Sequence, residues 1–276
     1  MHNIIDLFKN FFTHKDFLPP ASEIAGTMFT PLHIVFAIIS FAVVVLCALY
    51  VSKRSEKTIR TVFLLMWAII CILEITKIVW ETVSGATINF EVTGVLPLYP
   101  CSIFMYAMPL AIFGNEKVRY MGCGYVCSLG LLGGTINFIY PATILGSYSC
   151  ISFAGFHTFF YHGAMVFSAI VMLRSGYHSY KKAWRPLDLL LPAVPALAVS
   201  LVANTVNFSP IGSDYMFFKL GSFFFAPIGA ALPTWLCVVI VYILYLFIHS
   251  IPYLPCYFKN RRALASKNRE PELFAK

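Results

Sequence analysis

Cys101, His157, His162 and the Glu74/Lys77 pair all lie in stretches apolar enough to sit in hydrocarbon. Ionisable groups are costly there, so those that persist mark a candidate site. Cys101 follows Pro100, and proline favours the first position of a helix, which places the thiol in a first turn. Free N–H groups and the helix dipole favour an anion at that point and lower a thiol pKa, and the thiolate is the nucleophile. An inert buried thiol, or a disulfide with Cys150, would satisfy the same position. His157 and His162 are five positions apart, about 140° around a helix and about 7.5 Å along it. That is no shared metal face, so no metal is expected. His162 is the deeper of the two, and as a neutral imidazole it could accept a proton from a thiol. It could equally serve as a hydrogen-bonded strut between helices.

Glu74 and Lys77 share a helix face. They read as a mutually neutralising pair, or as a pair that orients a histidine or a substrate headgroup. Asn204 and Asn207 end a later apolar stretch, and Asp214-Tyr215 follows. These amides could orient a histidine, donate to an oxyanion or cap a helix. His33 opens the first long apolar stretch, in an exposed interfacial position.

The elements that must position these groups are long apolar runs. The chain has 276 residues, 59% hydrophobic and 12% charged, against about 25% charged in soluble domains. A membrane span takes about 20 apolar residues. Spans are expected at roughly 30–51, 60–83, 98–114, 118–139, 152–174, 187–206 and 226–250, the third being short. The fold class is therefore all-α, a polytopic bundle of about seven transmembrane helices. Sixteen of the 20 basic residues fall in alternate loops and the tail. By the positive-inside rule the N-terminus is outside and the C-terminus cytoplasmic, and the candidate residues cluster toward the outer leaflet. The same distribution explains the net charge of +8 without nucleic acid as a partner. The inner halves of the spans read as almost wholly apolar, which counts against a transport path.

The expected organisation is an interfacial amphipathic segment over 1–28, a membrane domain over 29–252 and a basic tail over 253–276. Ile4, Ile5, Phe8, Phe11 and Phe12 mark one helical face of the first segment, whose charges exclude a cleavable signal. Gly130, Gly133 and Gly134 make the fourth span a small-residue helix suited to close packing. No zinc-type cysteine pairs, Walker, Rossmann or HExxH pattern occurs, so no cofactor is expected.

The Leu96–Cys101 run (Leu-Pro-Leu-Tyr-Pro-Cys), the His157/His162 segment and the Asn204 to Phe217 region resemble the YwaF-like family of bacterial integral membrane proteins. Glu74, Lys77 and His33 fit the same pattern. That family is in turn distantly similar to an animal multi-pass membrane acyltransferase acting on ether phospholipids, in which a proline-cysteine element opens a helix and a later helix carries a histidine. The resemblance implies a bacterial cytoplasmic membrane, a membrane lipid as substrate, Cys101 as acyl acceptor and His162 as base, and assigns nothing to His157. The leading expectation is thus an acyltransferase or acyl hydrolase acting on a lipid ester. The alternatives are a transporter or ligand-binding protein using the same outer pocket, or a structural protein.

Overall fold

A computed structural model describes residues 10–87, 96–209, 213–220 and 226–273. All regular structure among these residues is helical. The first long helix, α1 (Pro31–Val51), starts where Thr30 accepts from the His33 N–H and Pro31 takes the first position. Ser55 caps α2 (Glu56–Ser84) in the same way, Asn115 caps α4 (Glu116–Tyr125) and Ser152 caps α7 (Phe153–Arg174). Each side-chain oxygen satisfies one of the N–H groups that a helix start leaves unpaired.

Among the described residues six helices are long and apolar enough to cross a membrane. The third expected span is different. Only Ile103–Phe113, α3, is helical there. Eleven residues cover about 16 Å, half of a hydrocarbon core of about 30 Å. Pro97 and Pro100 keep residues 96–102 in turns, because proline lacks the N–H a helix interior needs and restricts the residue before it. The fourth span continues from α4 through a π-helical turn, Val126–Gly130, into α5 (Leu131–Ile139) and the short α6 (Ala142–Leu145). The sixth is kinked between α8 (Pro186–Leu190) and α9 (Val194–Asn207), where Pro192 falls in the intervening turn and Pro195 in the first turn of α9. The last expected span splits at Pro233 into α10 (Ala226–Ala231) and α11 (Thr234–Ser250), and α12 (Leu254–Leu273) follows.

The centre of the bundle is α7, with 67% of its apolar window inside the protein against 6% for α1. The outward residues of α1, among them Ile34, Ile38, Val43 and Leu46, are apolar, as a hydrocarbon-facing surface requires. The basic loops gather at one end of the bundle. There Arg60 donates to the Ile112 carbonyl, Arg119 lies 2.7 Å from Glu56, Lys182 reaches Glu116 and Asn260 donates to the Lys181 and Ala183 carbonyls. So the short third segment does return the chain to that end.

At the opposite end, residues 10–28 form two 3₁₀ turns, Lys15–Phe17 and Ala21–Glu23, instead of prolonging a helix. Trp80 Nε1 donates to the Phe12 carbonyl at 2.9 Å, and Cys150 N to that of Gly26 at 2.8 Å. Ile4, Ile5 and Phe8 lie outside the described residues, as do positions 274–276 of the expected tail.

Small residues let the helices approach closely. A Cβ on Gly122 would lie 2.5 Å from the Ala107 carbonyl oxygen and 2.6 Å from the Ala111 nitrogen, both backbone atoms of α3. At Gly133 it would meet only the Met165 methyl at 3.9 Å. Gly122→Ala should therefore lose about 1–3 kcal/mol of stability through overpacking, while Gly133→Ala stays near wild type. Thermal unfolding in detergent distinguishes them, and equal melting of the two variants would contradict this packing.

Candidate functional site

Glu74, about five turns along α2 from the basic end, presents one oxygen to Lys77 Nζ at 3.0 Å and the other to His157 Nε2 at 3.0 Å. Glu74 and His157 are each 6% exposed. The His157 contact is close but not directed along a hydrogen bond, so it is an electrostatic contact of the carboxylate with the ring. Both expectations for the Glu74/Lys77 pair are thus combined in one carboxylate: it neutralises the lysine and fixes a histidine. His157, left without a role by the resemblance, is the histidine that joins this cluster.

Cys101 lies within electrostatic reach of Glu74 and Lys77. It does not open a helix. Ser102 is the N-cap residue of α3 and Cys101 precedes it, its carbonyl accepting from Phe104 N at 3.1 Å. The backbone around it is held by two tyrosines. Tyr161 donates to the Cys101 carbonyl at 3.4 Å, and the Tyr125 hydroxyl donates to the carbonyl of Pro100. All eight cysteines are free, so the disulfide with Cys150 is not formed. Tyr161 was legible in principle, since it stands four residues after His157 and so shares its face. Tyr125 is brought in by tertiary packing alone.

His162 turns away from this face, as the 140° separation from His157 requires. Its Nδ1 lies 2.7 Å from the Thr158 carbonyl oxygen, so that nitrogen carries the proton and Nε2 is left as the acceptor. Thr158 in turn donates to Asn137 at 3.3 Å. Among the described residues no hydrogen bond joins His162 to Cys101.

The segment after α9 lies over the turns that precede α3. Asn207 clamps Tyr215 twice, donating to its carbonyl at 2.8 Å and accepting from its N–H at 2.7 Å. The Tyr215 hydroxyl accepts from Leu96 N at 3.2 Å, and its ring packs 5.0 Å from that of Tyr99. Asp214 accepts from Lys219 N at 2.7 Å, and Lys219 Nζ donates to the Asn207 carbonyl at 2.7 Å. Met216, Phe217 and Leu220 take φ values of 60°, 57° and 51°. Such conformations cost about 1–3 kcal/mol each and persist only where surrounding contacts over-determine them.

Asn204 does not join the cluster. Its amide donates to Tyr242 on α11 at 3.0 Å, and its carbonyl oxygen has no hydrogen-bond partner among the described residues. His33 is also apart, and it is not exposed as expected. It is 2% exposed, packs against Phe159 and accepts from Phe29 N at 3.0 Å. The return of Phe29 to a left-handed φ of 64° aims its N–H back at the ring.

The basic half of the bundle is not wholly apolar. His249 is fully buried with its Nδ1 against Ser128 in the π turn, and His178 Nε2 lies 2.6 Å from the Tyr253 hydroxyl. Burial, with Lys182 nearby, pushes the His178 imidazole down to about 4, so it is neutral at physiological pH. The sequence concealed these groups because single histidines near span ends look interfacial. Among the described residues no group of His, Cys, Asp and Glu could hold a metal.

Removing one partner from a buried ion pair leaves the other uncompensated. Glu74→Gln, which strands Lys77, should cost up to about 3–5 kcal/mol, whereas the Glu74→Leu/Lys77→Met double variant should lose less than the sum of its single variants. Unfolding free energies in detergent test this, and strict additivity would show that the pair is not coupled.

No curated protein and no solved structure matches the chain. The TMEM164 family matches residues 28–255, which take in the bundle and every candidate residue. With its apolar helices and this match, the chain is an integral membrane protein that belongs to the TMEM164 family.

Proposed function

We propose that this protein transfers or hydrolyses the acyl group of a membrane lipid ester through Cys101. The observation that supports it best is the free Cys101 thiol beside a buried, ion-paired Glu74/Lys77/His157 cluster, with strained backbone packed over the same turn. Perturbed ionisable groups and stored backbone strain concentrate at functional sites. The resemblance to a phospholipid acyltransferase through Pro100-Cys101 and His162 points the same way.

In this reading the Cys101 S–H proton passes to a histidine and the sulfur attacks the ester carbonyl carbon. The carbon–oxygen bond breaks, and the leaving lysolipid oxygen takes the proton back. A second lipid hydroxyl, or water, then attacks the thioester and returns the thiol. His162, with Nε2 unprotonated, has the tautomer a base needs. It can serve only after rotating toward Tyr161 and Cys101 or through a water molecule, because no direct bond links them. Glu74 holds Lys77 and His157 as the charged floor of the site, and Asn207 holds Tyr215 over it. Asp214 fixes the turn through Lys219.

A transport function gains one supporting observation, the buried His249, Ser128, His178 and Tyr253 groups that extend polarity to the basic end. Transport predicts movement of an unaltered solute, and acyl transfer predicts a changed lipid.

The deciding experiment supplies reconstituted protein with a labelled acyl-donor phospholipid and a lysophospholipid acceptor. Cys101→Ala should abolish label transfer and release with the fold intact by melting. His162→Ala should slow them about 10²-fold or more. Turnover unchanged in Cys101→Ala would overturn the proposal.

A further inference from the structure

At the basic end, away from Cys101, a cavity of about 460 Å³ opens between the start of α2, α4 and the loop after α7. That volume falls within the range of small-molecule sites. Arg54, Glu56, Glu116, Arg119, Tyr177 and Lys182 are among its walls. The three cations come from the loop before α2, from the first turn of α4 and from the loop after α7, and are held in different ways.

The Arg119 guanidinium lies 3.7 Å over the Tyr177 ring, and one of its nitrogens reaches Glu56 at 2.7 Å. Its plane is therefore fixed, while a guanidinium has five N–H donors to offer. Lys182 lies 3.8 Å from Glu116, and these side chains are 66% and 92% exposed. A pair of this kind is worth at most about 1 kcal/mol, so the ammonium turns readily to a stronger anion. Arg54 rests on the Tyr50 ring at 4.2 Å and has no carboxylate partner among the described residues. Gly176, also in the wall, takes a φ of 76°, and a Cβ there would meet nothing within 4 Å. The backbone at that point is open to a ligand.

We propose that this cavity binds a phosphate group, with Arg54, Arg119 and Lys182 as its counter-ions. A singly charged carboxylate would gain little, because Glu56 and Glu116 already answer two of the three cations. A phosphate dianion takes the unanswered charge of Arg54, meets the fixed fork of Arg119 side-on and draws Lys182 from Glu116. The phosphate belongs either to a lipid headgroup of the adjoining leaflet or to a soluble phosphate compound.

The test uses the full chain in phosphatidylcholine nanodiscs. One arm titrates inorganic phosphate and reads the melting temperature. The other adds phosphatidic acid to the nanodiscs and counts retained lipid by native mass spectrometry. The wild-type chain should respond in at least one arm, and which arm responds identifies the soluble or the lipid source. The Arg54→Gln/Lys182→Gln double variant, altered only at exposed positions, should bind at least about tenfold more weakly. Glu116→Gln, which frees Lys182, should bind more tightly, an effect that a loss of fold would not produce. A wild-type chain that responds in neither arm, or that matches the double variant in both, overturns the proposal.

Discussion

The arrangement of this bundle turns on one carboxylate. Glu74 sits among apolar helices with Lys77 on one oxygen and His157 on the other. A lone charge in such a place costs many kcal/mol, so each of the three groups depends on the others. The contact ties α2 to α7, the central helix, at a fixed depth. Residues 96–102 are then threaded past it, and Cys101 comes to lie beside charges that the surrounding hydrocarbon cannot screen.

The short α3 is the counterpart of that constraint. A full-length helix in the third position would fill the space with regular turns. Pro97 and Pro100 prevent it, and the chain instead crosses the half away from the basic loops in turns whose carbonyls need partners. Tyr125 and Tyr161 supply them at Pro100 and Cys101. The Tyr215 segment closes the remaining side, in a backbone conformation that costs energy and is held by the double bond to Asn207. Strain and polarity thus fall together in the same few residues, not in the regular helices.

How much of this was legible in the sequence follows from the range of each interaction. Apolar length placed the six long helices, because a bilayer sets a minimum span independent of tertiary contacts. The positions of Lys and Arg grouped the loops at one end. Helical spacing separated His157 from His162, and the structure keeps them on different faces. It also paired Glu74 with Lys77. Partners from distant helices were not legible. Nothing near Glu74 in the chain points to His157, and nothing near Asn207 distinguishes it, which clamps Tyr215, from Asn204, which serves Tyr242. His33 shows the same limit in reverse, since position at a span end suggested exposure and the packing of Phe29 and Phe159 buries it.

The π turn at Val126–Gly130 explains how one bundle holds polar groups at both ends without a weak middle. A π turn carries an extra residue and breaks the usual ladder of carbonyls, so side chains must take up what the helix leaves. Tyr180 donates to the Cys127 carbonyl, and Ser128 donates to that of Gly124 while facing His249. Tyr125, one residue before the turn, reaches the other way to Pro100. All five residues of the turn are buried. The fourth span is therefore the element through which the Cys101 end and the basic end share hydrogen bonds. Its glycines let α3 and α7 come close enough to make them.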